Sequence, residues 1–360
     1  LFLLGASLVY ATRGTLNIID LGPRIPGVPT DDLMFLQSGI AILAVAFFIK
    51  AGMWPLGLWL PRTYSAATPP VAALFAILSK VGVYPVLRVL LLLPAGADSR
   101  VLPFLDEWLL LGGMLTMVFG TIGLLASKTL SRLAGHSLLI STGTLLATVG
   151  AGERVLAGAL FYLVSSTLAV SAFYLLIELV GRSEIDSTGA EAVDPVFEDE
   201  YRGVLEENGQ AEVGVVIPAT LAILGGGFLF CALLLAGLPP FSGFIGKVAI
   251  IDGLLGLEAA PIPATWTFIA LILLSGFATV IAASRAGIDF IWTPDTPRPH
   301  LRLAEAMPIG LLLALCLTLT VFAAPAMLYF DETAHLAGVS GTSETSASIA
   351  RGTPERRGPR

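Results

Sequence analysis

Apolar residues run along this chain in long blocks separated by short polar segments. The blocks lie at Leu33–Leu60, Pro70–Leu93, Trp108–Ala126, His136–Gly150, Val155–Val180, Val213–Leu257, Trp266–Ala283 and Ala306–Phe330. Most approach the roughly 20 apolar residues needed to cross a hydrocarbon core about 30 Å thick. Backbone facing lipid has to satisfy its own hydrogen bonds, so the pattern predicts an all-α, polytopic helical membrane protein. His136–Gly150 is short for a span and is expected to borrow from Ser131–Gly135. Val213–Leu257, at 45 residues, is far too long for one straight span and holds Gly237-Leu-Pro-Pro240 at its middle. This predicts a discontinuous helix, two half-helices meeting at irregular backbone. Leu1–Ala11 is too short to span and has no basic residues ahead of it. It reads as the tail of a severed helix in an N-terminally incomplete chain, not as a signal peptide. Thr12–Asp32 reads as a polar loop. The Ser/Thr/Gly-rich stretch from Asp331 is expected to be disordered, giving a membrane domain over 1–330 and a tail over 331–360.

Composition agrees: the chain is 55% hydrophobic and 13% charged, with a mean hydropathy of +0.85. The net charge of −7 is local. Residues 181–212 carry ten acids and two bases, −8 in one segment, which leaves about +1 for the rest. That acidic segment reads as a solvated loop. Nothing in the charge pattern points to nucleic acid. Cys231 and Cys316 lie in apolar runs and read as core packing. No metal, nucleotide or flavin motif is visible, and no cofactor is expected. Counting Lys and Arg on alternate loops places eight, among them Arg62, Lys128, Arg132 and Arg285, on one side. Four, among them Arg154, fall on the other when the tail is left out. The first side, with the acidic loop, is expected in the cytoplasm.

Three lysines change the picture from a membrane protein to one that moves charge. Lys50, Lys80 and Lys247 each sit inside an apolar run. An ionisable group at bilayer depth is costly and by default marks an ion or proton path. At about 1.5 Å per residue, Lys80 stands about 15 Å from Pro70, near the midplane. A lysine can take up and release a proton, whereas an arginine stays charged. Lys50 is followed by Ala-Gly-Met-Trp-Pro55, and proline at 55 cannot donate to the carbonyl of Ala51. A helix break is therefore expected just beyond Lys50, which would line the gap. Lys247 repeats the arrangement in reverse, following Pro239 and Pro240, with Gly243 and Gly246 between. Paired broken segments point to an inverted-repeat transporter with a midplane site.

These residues carry a resemblance. Phe48-Ile-Lys-Ala-Gly-Met-Trp-Pro-Leu-Gly-Leu-Trp-Leu-Pro61 resembles the seventh helix of antiporter-like membrane subunits, those of Mrp-type (Pha or Sha) cation/proton antiporters and of respiratory complex I. Thr68–Phe75 with Ser79-Lys-Val-Gly-Val-Tyr-Pro-Val-Leu-Arg88 is similar to the eighth helix, and Gly237–Lys247 to the twelfth. Gly14-Thr-Leu-Asn17 resembles the end of the sixth. Lys at 247, Gly at 57 and the run Lys80–Tyr84 favour the D-type subunit of the Mrp antiporters. The resemblance implies fourteen helices, of which this chain would hold the last eight and a stub. The fifth, with the glutamate expected to pair with Lys50, would lie outside it.

The resemblance also implies a function. The chain would be a multi-pass subunit of a hetero-oligomeric Na⁺ or K⁺/proton antiporter in a bacterial inner membrane, and not an enzyme. Lys50, Lys80 and Lys247 would pass protons. One alternative is a proton-pumping subunit of an NADH dehydrogenase or hydrogenase complex, and another is a non-conducting scaffold. The eleventh helix departs from the family, which often has histidine and lysine there. Residues 158–167 offer hydroxyls instead, Tyr162 and Ser166 among them. The relay across the middle is then expected to use these with Ser141, Thr144 and water, and His136 is a further candidate. An interfacial packing role is the alternative for that histidine.

Overall fold

The computed structural model describes residues 1–17, 20–21, 24, 29–92, 105–191, 219–256, 262–291 and 303–334. All regular structure among them is helical. In chain order the helices are α1 (Phe2–Arg13), α2 (Thr30–Ala51), α3 (Leu60–Ala66), α4 (Pro69–Leu92), α5 (Leu105–Ala126) and α6 (Leu130–Ala151). After a 3₁₀ turn at Glu153–Val155 come α7 (Leu156–Glu191), α8 (Ala219–Ala236), α9 (Ser242–Leu255), α10 (Ile262–Ile291), α11 (Leu303–Val321) and α12 (Ala323–Ala334). Helices α2, α4, α5, α6, α7 and α10 are each long and apolar enough to cross a membrane, and α11 with α12 makes a bent seventh candidate. The expected loan of Ser131–Gly135 to the His136 span is found, because α6 starts at Leu130 behind a Thr129 cap.

Two breaks have the same anatomy. At Lys50 the helix ends at once, on Gly52 in the left-handed region (φ 82°), with Met53 N–H reaching back to the Phe48 carbonyl at 3.0 Å. At α8 the cap is Gly237 (φ 71°), and Leu238 N–H reaches the Leu233 carbonyl at 3.1 Å. This is the reverse turn that lets a chain leave a helix with its last carbonyls satisfied. Each cap is followed by a cis X-Pro bond, Trp54–Pro55 and Pro239–Pro240, before a new helix starts. The block expected over Leu33–Leu60 is thus a helix, a loop and the start of a second short helix. In the loop Gly57 lies on Gly52, and a Cβ there would stand 1.9 Å from the Gly52 carbonyl oxygen.

Three boundaries differ from the expectation. The single span over Ala306–Phe330 is bent by 81° between α11 and α12. Pro325 has no N–H for the Val321 carbonyl, so that carbonyl lacks its helical donor at the bend. Helix continues to Ala334, so the tail begins later than Asp331. Helix α7 also runs on to Glu191, so the first eleven residues of the acidic segment are helical rather than loop. Self-satisfied backbone lets a helix leave the apolar layer without a partner. Residues 192–212 of that segment, and the tail from 335, lie outside the described residues.

Helices α6 and α7 occupy the middle. Sixteen residues of α6 are buried, and it packs on α3, α4, α5 and α7. Against α5 the fit is backbone to backbone: a Cβ on Gly113 would meet the Ala147 nitrogen at 2.4 Å, and one on Gly150 the Leu110 nitrogen at 2.5 Å. Small residues allow such approach where apolar burial supplies no drive between helices in lipid. Cys231 and Cys316 are buried as expected, Cys231 in the large apolar cluster with Phe173 and Phe228 and Cys316 in a smaller one with Ala169 and Leu234.

Candidate functional site

The end of α2 crosses α4 at Gly82, whose missing side chain admits the Lys50 stem. Two residues before Gly82, Lys80 points the other way, into the protein. It is 3% exposed. Its ammonium donates to Ser141 Oγ of α6 at 2.6 Å and to Ser166 Oγ of α7 at 3.3 Å. Lys247, on α9, is 6% exposed. Its ammonium donates to the Ala236 carbonyl at 2.7 Å, one of the carbonyls freed where α8 ends. It lies against Gly237, where a Cβ would stand 2.6 Å from its Cδ, and near Gly276, where a Cβ would stand 3.4 Å from its Nζ and 2.8 Å from the Ala236 carbonyl oxygen. Both buried ammonium groups therefore rest on neutral oxygens. A buried charge held by neutral dipoles is poorly compensated. Lys50 differs: it is exposed at the helix terminus, so the structure encloses two of the three lysines expected at one depth.

Beside the partners of Lys80 lies a cavity of about 10 Å³. It is lined by Ser137, Ile140 and Ser141 of α6, Tyr162 and Ser166 of α7, Leu234 and Leu235 of α8, Gly243 of α9 and Thr279 of α10. The Lys80 partners form its wall on one side, and the broken helix forms the other. Of the expected relay groups, Ser141, Tyr162 and Ser166 meet here, and Thr144 stands behind, near Tyr162 and bonded to the Ile140 carbonyl at 2.8 Å. His136 does not join them. Its Nδ1 bonds the Arg132 carbonyl at 2.8 Å and Ser127 Oγ at 3.2 Å, and its ring packs over Gly123 and beside Phe119. That is the interfacial packing position between α5 and α6.

Several polar residues were not singled out in the sequence. Thr116 of α5 accepts the Trp54 N–H at 2.9 Å and so supports the first break. At the second break Ser242 N–H, in the first turn of α9, bonds Thr320 Oγ1 at 2.9 Å, and Ser165 donates to Ser242 Oγ at 2.8 Å. Tyr64 of α3 bonds Ser79 at 2.8 Å, next to Lys80 in sequence. Thr279 faces the cavity from α10. The available signal was a hydroxyl in an apolar run opposite a break, but it does not say which break. Arg285 donates to the Leu125 and Ser127 carbonyls at 2.8 and 2.9 Å, which puts it at the Lys128 end, as the alternation of loops requires. Arg154 bonds the Gly256 carbonyl, at the end of α9.

Broken helices and buried lysines within a bundle of apolar spans define a polytopic helical membrane protein. Similarity to known proteins narrows this. Residues 1–195, more than half of the chain, match the family described as NADH:quinone oxidoreductase/Mrp antiporter, TM, and the chain belongs to it. It is 49% identical over 344 residues to a protein of Rhizobium meliloti (strain 1021) described as the D subunit of a probable K(+)/H(+) antiporter, covering 93% of this chain and 63% of the relative. It is 30% identical over 345 residues to the D subunit of the Na(+)/H(+) antiporter of Bacillus subtilis (strain 168), covering 93% and 62%. The chain thus spans less than two thirds of the length of these curated relatives. Its fold is similar to a chain of the Mrp complex from Dietzia sp. DQ12-45-1b (TM-score 0.68, 20% identity, 97% of this chain and 66% of the other). A chain of respiratory complex I from Thermus thermophilus is similar to the same degree (TM-score 0.69, 22% identity, 94% and 65%).

Proposed function

We propose that this chain is the proton-conducting part of the D subunit in a multisubunit monovalent cation/proton antiporter of a bacterial inner membrane, with K⁺ as the exchanged ion. The observation that carries it is the pair of enclosed lysines, Lys80 and Lys247, each on neutral oxygen partners, with a hydroxyl-lined cavity beside the partners of Lys80. Such an arrangement can hold a proton and hand it on. It offers no carboxylate cage for a metal cation among the described residues. The cation is then expected to cross with the help of other subunits. The 49% identity to the Rhizobium K(+)/H(+) protein, against 30% to the Bacillus Na(+)/H(+) protein, favours K⁺. Lys50, at the exposed end of α2, is the terminal member of the line.

The test is antiport in everted vesicles carrying the whole complex. Adding K⁺ should collapse the imposed pH gradient at lower concentration than Na⁺, and Lys80→Ala should remove the response while the complex still assembles. Full activity in assembled Lys80→Ala vesicles would sink the proton line. A second reading, a redox-driven pump subunit, rests on the complex I fold likeness alone. It requires proton movement on NADH addition with no dependence on K⁺ or Na⁺.

A further inference from the structure

We propose that the bent pair α11–α12 holds the second broken helix in place, with Thr320 and Phe330 as positioning residues for Lys247. This rests on the proton-conducting reading above. A helix start leaves N–H groups that need acceptors from outside the helix, and inside a membrane each one left bare is costly. The residue ahead of α9 is Phe241, whose side chain cannot accept, and no side-chain bond caps the helix from there. The Phe244 and Ile245 N–H groups turn back to the Phe241 carbonyl at 3.0 and 3.3 Å. The Ser242 N–H goes instead to another helix, to Thr320 Oγ1 at 2.9 Å, one residue before α11 ends. Thr320 spends its own proton on the Cys316 carbonyl at 2.8 Å, so its oxygen is left to accept. Ser165 of α7 donates to Ser242 Oγ at 2.8 Å. Ser242 is fully buried, so bulk water supplies no substitute. Helix α9 is thus capped in trans.

Phe330 of α12 reaches the same place from the other arm. Its ring meets Phe161 of α7 edge to face, with centroids 6.3 Å apart. Phe161 in turn backs α9: a Cβ on Gly246 would stand 3.3 Å from the Phe161 ring and 3.1 Å from the Tyr162 Cα. The 81° bend is what brings both arms together. In a straight helix, residues 320 and 330 stand about 15 Å apart along the axis, whereas Phe161 and Ser165 lie about 6 Å apart on α7. From here the link to the lysine is short. Lys247 follows Gly246 directly and lies in the second turn of α9. Its ammonium reaches back across the break to the Ala236 carbonyl at 2.7 Å, its one hydrogen-bond partner among the described residues. A shift of α9 by about 1 Å stretches that bond beyond hydrogen-bond reach. Toward α8 there is no room, since a Cβ on Gly243 would stand 2.1 Å from the Leu234 carbonyl oxygen. The play left to α9 is away from α8, the direction that draws Lys247 off its carbonyl. Thr320 at the helix start and Phe330 behind its flank oppose that movement.

The test uses the full-length subunit in its complex, reconstituted in liposomes, with rates taken per assembled complex. Thr320→Val keeps the shape and removes the acceptor. Antiport should fall about tenfold, the scale set by a buried N–H that loses its partner. Thr320→Ser keeps the oxygen without the methyl and should stay within about twofold of the native rate. Equal loss in valine and serine makes Thr320 a packing residue and overturns the proposal, as does a native rate in valine. Phe330→Leu strands no N–H group, so it tests the second arm even where Thr320→Val fails to assemble. It should lose about threefold, as removal of an aromatic pair implies, and a native rate there overturns the part given to α12. Electron cryomicroscopy maps supply a readout independent of transport. Lys247 should rest on the Ala236 carbonyl in the native complex and in Thr320→Ser, and be drawn off it in Thr320→Val and Phe330→Leu. A lysine left in place in these two variants overturns the positioning role even where the rate falls. Native liposomes that move no protons would instead refute the antiporter reading and leave the maps to decide the cap.

Discussion

Lysine and arginine part company once they are buried, because only lysine can give its proton away. Lys80 and Lys247 both donate to neutral oxygens, Ser141 and Ser166 for one and the Ala236 carbonyl for the other. Lys80→Arg should therefore fill the site and fold, yet fail in vesicle antiport as completely as Lys80→Ala. Restored exchange in Lys80→Arg would remove proton release from the mechanism. At the first break Thr116 matters in a different way. Thr116→Val strands the Trp54 N–H and should cost about 1–3 kcal/mol, seen as an earlier thermal transition in detergent, with Thr116→Ser close to the native protein. The depth of Lys80 and Lys247 was legible in the sequence because depth follows from residue count along a helix. Azimuth was not. These helices are apolar nearly all round, and such a helix gives no sign of which face is inward. That is why Lys50 could be expected beside the others and is found exposed, and why His136 sits between α5 and α6.

At the scale of elements, the broken spans are the parts that sequence and physics agree on best. A proline three residues past a glycine, in an otherwise continuous apolar run, ends one helix and delays the next. The break within Val213–Leu257 was legible in this way, and the one within Ala306–Phe330 was not. Pro325 lies near the end of that block, without the doubled proline that marked the other, and proline inside α4 and α11 leaves those helices intact. Gly57 carries a sharper expectation. With 1.9 Å between a Cβ there and the Gly52 carbonyl oxygen, Gly57→Ala has to push the loop off the cap. It should lower both stability and transport, whereas Gly310→Ala, in open space on α11, should change neither. Monodispersity after heating and antiport rate together check the pair.

Across the whole molecule, the distribution of arginines fixes which ends of the helices lie together. Arg285 ties α10 to the end of α5, and Arg154 ties the 3₁₀ turn before α7 to the end of α9. The sequence supplied that alternation of loops but not the seam that fills the middle, since a glycine in an apolar run does not name its neighbour. The seam has its own consequence for movement. Where Gly113 and Gly150 bring α5 and α6 into backbone contact, neither helix can slide past or tilt from the other without opening a gap along both. The pair is a keel. Whatever shifts during a transport cycle shifts around it, and the loops at residues 52–59 and 237–241 are where the frame can give. Hydrogen–deuterium exchange on the working complex should find the slowest amides along α5 and α6 and the quickest in those two loops. A covalent tie between α5 and α6 should leave the antiport rate in vesicles unchanged.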